Sequence, residues 1–234
     1  TLSIPFCGYN PRVPGMLITE VKTISDTSQN KEEKENGFYR NEFVEFLCLS
    51  DGNLSGLELC SAYDGEDRSY SFPVIEVTAG EIITVHLRLR GEGCVSEEGD
   101  DLTLATTTYT SPQIRDLWGT DTGTLLGNKT DIIILRNKGN GEILDALMYR
   151  ADTVEEWTSK FTTYASLLDD SAIYDSSDIT QSAITTGITA TKHLHRMGAL
   201  EIKNQIENGE EVTFPIKQNP DLWYIDSASV GILE

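Results

Sequence analysis

The sequence predicts an all-β protein, an antiparallel two-sheet sandwich that carries one inserted amphipathic α-helix. Short runs of alternating apolar and polar residues recur along the chain, Gly, Asp and Asn turns separate them, and helical periodicity appears in a single segment. With 234 residues, 38% hydrophobic and 24% charged, the chain has enough apolar surface to bury a proper core. It reads as a lead-in (1–15), a sandwich (16–150), an insertion (151–188) and C-terminal strands (189–234) that complete or cover the sandwich.

The first strand is MLITEVKTI at 16–24, and the charged stretch 25–41, with KEEKE at 31–35, follows as an exposed loop. NEFVEFLCLS at 41–50 places Val44, Phe46 and Cys48 on one face and Phe43, Glu45, Leu47 and Leu49 on the other. Both faces are largely apolar, so the second needs a cover from elsewhere in the chain or from a partner. The turn DGNLSG leads into LEL at 57–59, and 69–77 supplies a short strand that ends near Pro73. EIITVHLRLR at 81–90 has the clearest alternation: Ile83, Val85, Leu87 and Leu89 face inward, and Thr84, His86, Arg88 and Arg90 face outward, as in a half-buried strand.

An acidic, Thr-rich connection, with Trp118 in a loop, precedes DIIILR at 131–136. The turn NKGNG then returns the chain into EILDALMY at 142–149, the best hairpin. Over 153–168, Val154, Trp157, Phe161, Tyr164, Ala165 and Leu168 recur at helical spacing, with Thr153 and Glu156 as a capping box. The stretch 169–187 is a Ser/Thr/Asp-rich surface loop. TATKHLHRM at 189–197 and LWYIDSASVG near the end read as the last strands.

The formal charge of -20, with pI ≈ 4.4, repels phosphate backbones, and no Lys/Arg stripe offers an exception, so nucleic acid is not an expected partner. The same charge disfavours docking on anionic lipids. No apolar run approaches the roughly 20 residues a bilayer span needs, and the amino end lacks a basic region followed by an apolar stretch, so any signal peptide is absent from this chain.

Candidate chemistry is sparse. His193 and His195, two apart on one strand face, have the spacing of a two-histidine metal site, but a third ligand cannot be named; packed or surface histidines are the plain reading. Asp64, Glu66 and Asp67, then Glu97, Glu98, Asp100 and Asp101, could gather oxygen ligands for Ca²⁺, although they lack the EF-hand pattern and also fit solvated charge runs. Trp118 is the better exposed sugar platform, whereas Trp157 fits a buried anchor. The four cysteines lack CxxC spacing. A Cys48–Cys60 bridge would leave Cys7 with Cys94, and buried thiols are the other reading. Neither a G-x-S-x-G elbow nor a phosphate-binding loop is present, and the local carboxylate clusters do not suit glycoside hydrolysis.

The ordered motifs resemble the lamin-tail domain. LITEV at 17–21 looks like its opening strand, NEFVEF at 41–46 like the acidic-aromatic strand, and NLSGLEL at 53–59 like its Leu-Ser-Gly turn and strand. YSFP at 70–73 and AGEIITV at 79–85 follow. DIIILRNKGNGEILDALMY at 131–149, with Asp145 and Tyr149, is similar to the closing hairpin, and DLWYIDSASVG at 221–231 to the tail of many bacterial copies. Leu57 departs from the family, which often carries Trp there, and 150–187 is unmatched. The resemblance implies an immunoglobulin-like sandwich with no general catalytic constellation. It also implies a secreted, periplasmic or cell-surface accessory module that binds a protein or carbohydrate, with no obligatory cofactor. A Ca-assisted carbohydrate-binding module and a metal-dependent hydrolase using His193 and His195 are the alternatives.

Overall fold

The computed structural model describes residues 10–25, 42–65, 68–87, 91–120 and 125–233. Their strands are β1 (Met16–Lys22), β2 (Glu42–Cys48), β3 (Gly52–Asn53), β4 (Leu57–Ser61), β5 (Tyr70–Ser71), β6 (Glu76–Val77) and β7 (Ile82–Leu87). There follow β8 (Arg115–Trp118), β9 (Asp131–Asn137), β10 (Ile143–Arg150), β11 (Ala183–Ile184), β12 (Lys192–Arg196) and β13 (Trp223–Ser227). Among the described residues the α-helices are α1 (Ser159–Asp169) and α2 (Ala199–Glu207). A six-stranded sheet, β13-β12-β1-β2-β7-β8, packs on a five-stranded sheet, β11-β10-β9-β4-β5, and β3 pairs with β6. The protein is an all-β sandwich with helices added.

Strand alternation builds the core. Val44 and Phe46 of β2 and Ile83 and Val85 of β7 share one cluster with Leu57 and Leu59 of β4 and Ile133 and Leu135 of β9. The outer faces are covered too. Ile132, Ile134, Ala146 and Met148 pack under Tyr164, Ala165 and Leu168 of α1. On the six-stranded sheet, Leu17, Leu47, Leu49 and Ile82 lie with Ala199 of α2 and with Leu233. The second apolar face of β2 is thus covered by the C-terminal part of the same chain.

Several expectations need correction. The sheets are not purely antiparallel, since β7–β8 and β10–β11 run parallel. The strand at β7 is buried on both faces: Thr84 and His86 are fully buried, His86 beneath the stacked ring of Trp118. Arg88, Leu89 and Arg90 lie outside the described residues. Segment 69–77 splits at Pro73 into β5 and β6, which join different sheets. Trp118 belongs to edge strand β8 rather than a loop.

The helix starts at Ser159, Thr158 makes no side-chain cap bond, and the Thr153/Glu156 box is not formed. Arg150 explains the delay, because its Nη1 donates to the carbonyls of Ala151, Asp152 and Val154 and holds that segment in turns. Cys48 and Cys60 are not bridged; they belong to clusters on opposite sides of the five-stranded sheet. Cys94 keeps a free, half-buried thiol that burial raises to about 11, and Cys7 lies outside the described residues. Among these residues no helix is long and apolar enough to cross a membrane.

Polar contacts fasten the C-terminal strands. Asp145 accepts from the Ile18 amide (2.7 Å) and from Gln218 Nε2 (2.7 Å), and Gln218 Oε1 accepts from Trp223 Nε1 (3.0 Å). Strand β12 then pairs with β1 at Val21↔Leu194, and with β13 at Leu194↔Ile225.

Candidate functional site

Among the described residues, polar side chains gather in a sealed layer on the outer face of the six-stranded sheet, in an open groove at one side of the sandwich, and in a hollow beside α2. The sealed layer follows from alternation. With Val21 and Leu194 pointing inward, Glu20, His193 and His195 share the outer face, where Glu45 of β2 joins them. His193 Nδ1 lies 2.6 Å from Glu20 Oε1, and the rings of His193 and His195 stack at 6.3 Å. His195 Nδ1 sits 3.3 Å from Ser229 Oγ and 3.8 Å from Glu20 Oε2.

Glu45 accepts from Thr19 Oγ1 (2.7 Å) and from the Gly231 amide (2.6 Å). Burial, reinforced by the charge of Glu20 and only partly offset by those two bonds, raises its carboxyl to about 8. The cavity between these groups measures about 10 Å³ and is bounded by Ile232 and Leu233, room for about one water. Among the described residues no group of three or more His, Cys, Asp and Glu is arranged to hold a metal ion. The two histidines share a face, and each is engaged by groups of the protein itself.

The acidic candidates scatter. Glu97 is fully buried: Oε2 accepts from the Asp116 amide (2.8 Å), and Oε1 from the amides of Leu104 (3.1 Å) and Ala105 (3.0 Å). Asp64 accepts from the Leu125 amide (3.0 Å) and pairs with Arg68. Asp101 caps its own turn through Thr103, whose hydroxyl and amide hold its carboxyl below the usual range. Asp100 faces a different, open hollow with Arg115 and Lys203. Glu66 and Asp67 lie outside the described residues. Of the described candidates, Glu98 joins Trp118.

That meeting occurs in a groove of about 330 Å³ between edge strands β5 and β8, lined by Tyr70, Ser71, Glu98, Trp118 and Thr120 among others. Parallel pairing of β8 with β7 sets Trp118 beside His86 and Asp116 beside Thr84. The indole stacks on His86 with centroids 4.0 Å apart at 13°, and His86 Nε2 meets Asp116 Oδ1 at 2.6 Å. Trp118 is therefore fixed from behind by a buried pair. Burial, with the charge of Glu98 adding to it, pushes the Tyr70 phenol well above its usual range and keeps its hydroxyl neutral.

Sequence reading found Trp118 and Glu98 but missed Tyr70, Ser71, Thr120 and the supporting His86–Asp116 pair. The available signal for the support was Asp116 two residues before Trp118, the spacing that puts both on one strand face.

A family model described as "protein second domain" (TP_1001_2nd) matches residues 14–225. An uncharacterized protein of Treponema pallidum (strain Nichols) is 28% identical over 147 residues, which cover 62% of this chain and 34% of that protein. The chain thus spans about a third of the length of this relative.

Proposed function

The chain belongs to the TP_1001_2nd family, whose model spans both sheets of the sandwich, and from that premise we propose that it is a non-catalytic recognition module of the lamin-tail kind, working at a cell surface or outside the cytoplasm. The observation that carries this reading is the groove between β5 and β8, where Trp118, braced on His86, meets Tyr70 and Glu98. Ligand sites favour concave places with aromatic walls and a few placed polar groups. A preset aromatic side chain costs little entropy to use. The acidic surface and the lamin-tail resemblance point the same way. The alternative of a hydrolase using His193 and His195 has less support, because those imidazoles lie under the C-terminal segment with no open cavity beside them.

The test uses Ser71→Arg, which introduces a long side chain at the groove's exposed rim without touching the core. Labelled protein is offered to arrayed surface glycans and peptides. Wild-type protein should retain a defined ligand class that the variant loses while its melting temperature stays unchanged. Retention by both proteins would place recognition elsewhere. A chelator should change neither binding nor melting, whereas a marked fall in either would favour the Ca-assisted alternative.

A further inference from the structure

We infer that the groove beside Trp118 accepts a non-acidic saccharide, an inference that rests on the groove being the recognition surface. The edges around it are closed to one recurring peptide mode, addition of a strand to a sheet. On β8 the Trp118 amide donates to Ser96 Oγ (2.9 Å), the Asp116 amide to Glu97 Oε2 (2.8 Å), and the Asp116 carbonyl accepts from the Glu97 amide (3.0 Å). Segment 96–97 has therefore already taken that edge. On the other side β5 is two residues long, and Pro73 follows shortly after it. Recognition in this groove falls to side chains.

Those side chains suit a polyhydroxylated ligand. The indole of Trp118 and the ring of Tyr70 give apolar surface for the C–H face of a sugar ring. Ser71 and Thr120, with their hydroxyls, and Glu98, with its carboxylate, line the same groove as Tyr70 and Trp118. Sugar hydroxyls both donate and accept, so they can answer neutral hydroxyls and a carboxylate together. Charge narrows the class. Glu98 in the groove and a formal net charge of -20 disfavour sulfated or uronic sugars and admit neutral or amine-bearing ones. The volume, about 330 Å³, falls near the small end of ligand sites.

Calorimetric titration of the whole chain tests the inference, with cello-, chito- and glucosamine oligosaccharides, heparin fragments, and proline-rich and extended peptides as probes. Binding is expected for at least one neutral or amino-sugar series and not for heparin. Ser71→Arg should abolish it, and Trp118→Ala should weaken it roughly tenfold, the size of one aromatic contact. Glu98→Gln should weaken the glucosamine series more than the neutral ones. Because Trp118→Ala also removes the cover of His86, Ser71→Arg decides the matter if that variant fails to fold. A peptide that binds wild-type protein but not Ser71→Arg, with no sugar bound, would overturn the saccharide inference and leave the groove as the recognition surface. Equal binding of heparin would also overturn the inference. Sugar binding untouched by Ser71→Arg, or no binding by any probe, would overturn both.

Discussion

Glu45 holds its carboxyl between the Thr19 hydroxyl and the Gly231 amide, and burial beside Glu20 lifts it from 4.5 to about 8. The folded protein therefore keeps a proton that the unfolded chain releases above about 4.5. This group's contribution to stability is full below that pH and is lost as pH rises toward 8. At about 1.4 kcal/mol per pH unit, the rise corresponds to roughly 5 kcal/mol between pH 4.5 and 8. Glu45→Gln should remove that dependence, so urea unfolding across this range should show a flatter profile for the variant; parallel profiles would refute the assignment. Asp131 shifts in the same direction but less. Burial raises it to about 6 although its carboxylate accepts from Gly127, Ser61, Tyr63 and Ile132. Asp131→Asn turns an amide donor toward those donors and should lower stability at pH 8 by about 2–4 kcal/mol, read from the shift in urea midpoint. His193 and His195 are legible in the sequence as a same-face pair. Their engagement by Glu20, 173 positions from His193, is not, because a long-range partner leaves no local spacing to read.

Among the elements, β1, β2, β7 and the β9–β10 hairpin were legible because alternation is a local property of a strand. Elements whose environment comes from elsewhere were harder to read. Strand β8 is four residues long and parallel to β7, too short for periodicity to mark. The start of α1 was hidden because Arg150 captures carbonyls that a capping-box reading assigns to the helix. The C-terminal segment is clasped by Glu45 and Glu20 through Gly231 and Ser229. Gly231 has φ +77°, and a Cβ there would meet Ile114 Cγ2 at 2.8 Å. Gly231→Ala should lift this clasp at a cost of roughly 1–3 kcal/mol. Hydrogen exchange would then speed up at 229–232 while amides of β9 and β10 stay protected. Unchanged exchange at 229–232 would count against the clasp.

At the scale of the whole molecule, four layers stack as α1, the five-stranded sheet, the six-stranded sheet, and α2 with the C-terminal segment. A chain ending at Ile188 would leave β1 as an edge and expose Leu17, Leu47 and Ile82. It should aggregate or lose cooperative unfolding, as seen by light scattering and thermal melts; a monodisperse, cooperatively melting fragment would show that the outer layer is dispensable. By itself the sequence determined the β class, most strand positions, the acidic surface and the need to cover the second face of β2, since these follow from local alternation and summed charge. Only the tertiary structure decided which segment supplies that cover and that Cys48 and Cys60 lie apart. The same is true of the groove that joins Trp118 to Glu98 and leaves Asp64, Glu97, Asp100 and Asp101 outside. These outcomes depend on contacts between residues far apart in the chain, which burial and sheet pairing set and local pattern does not encode.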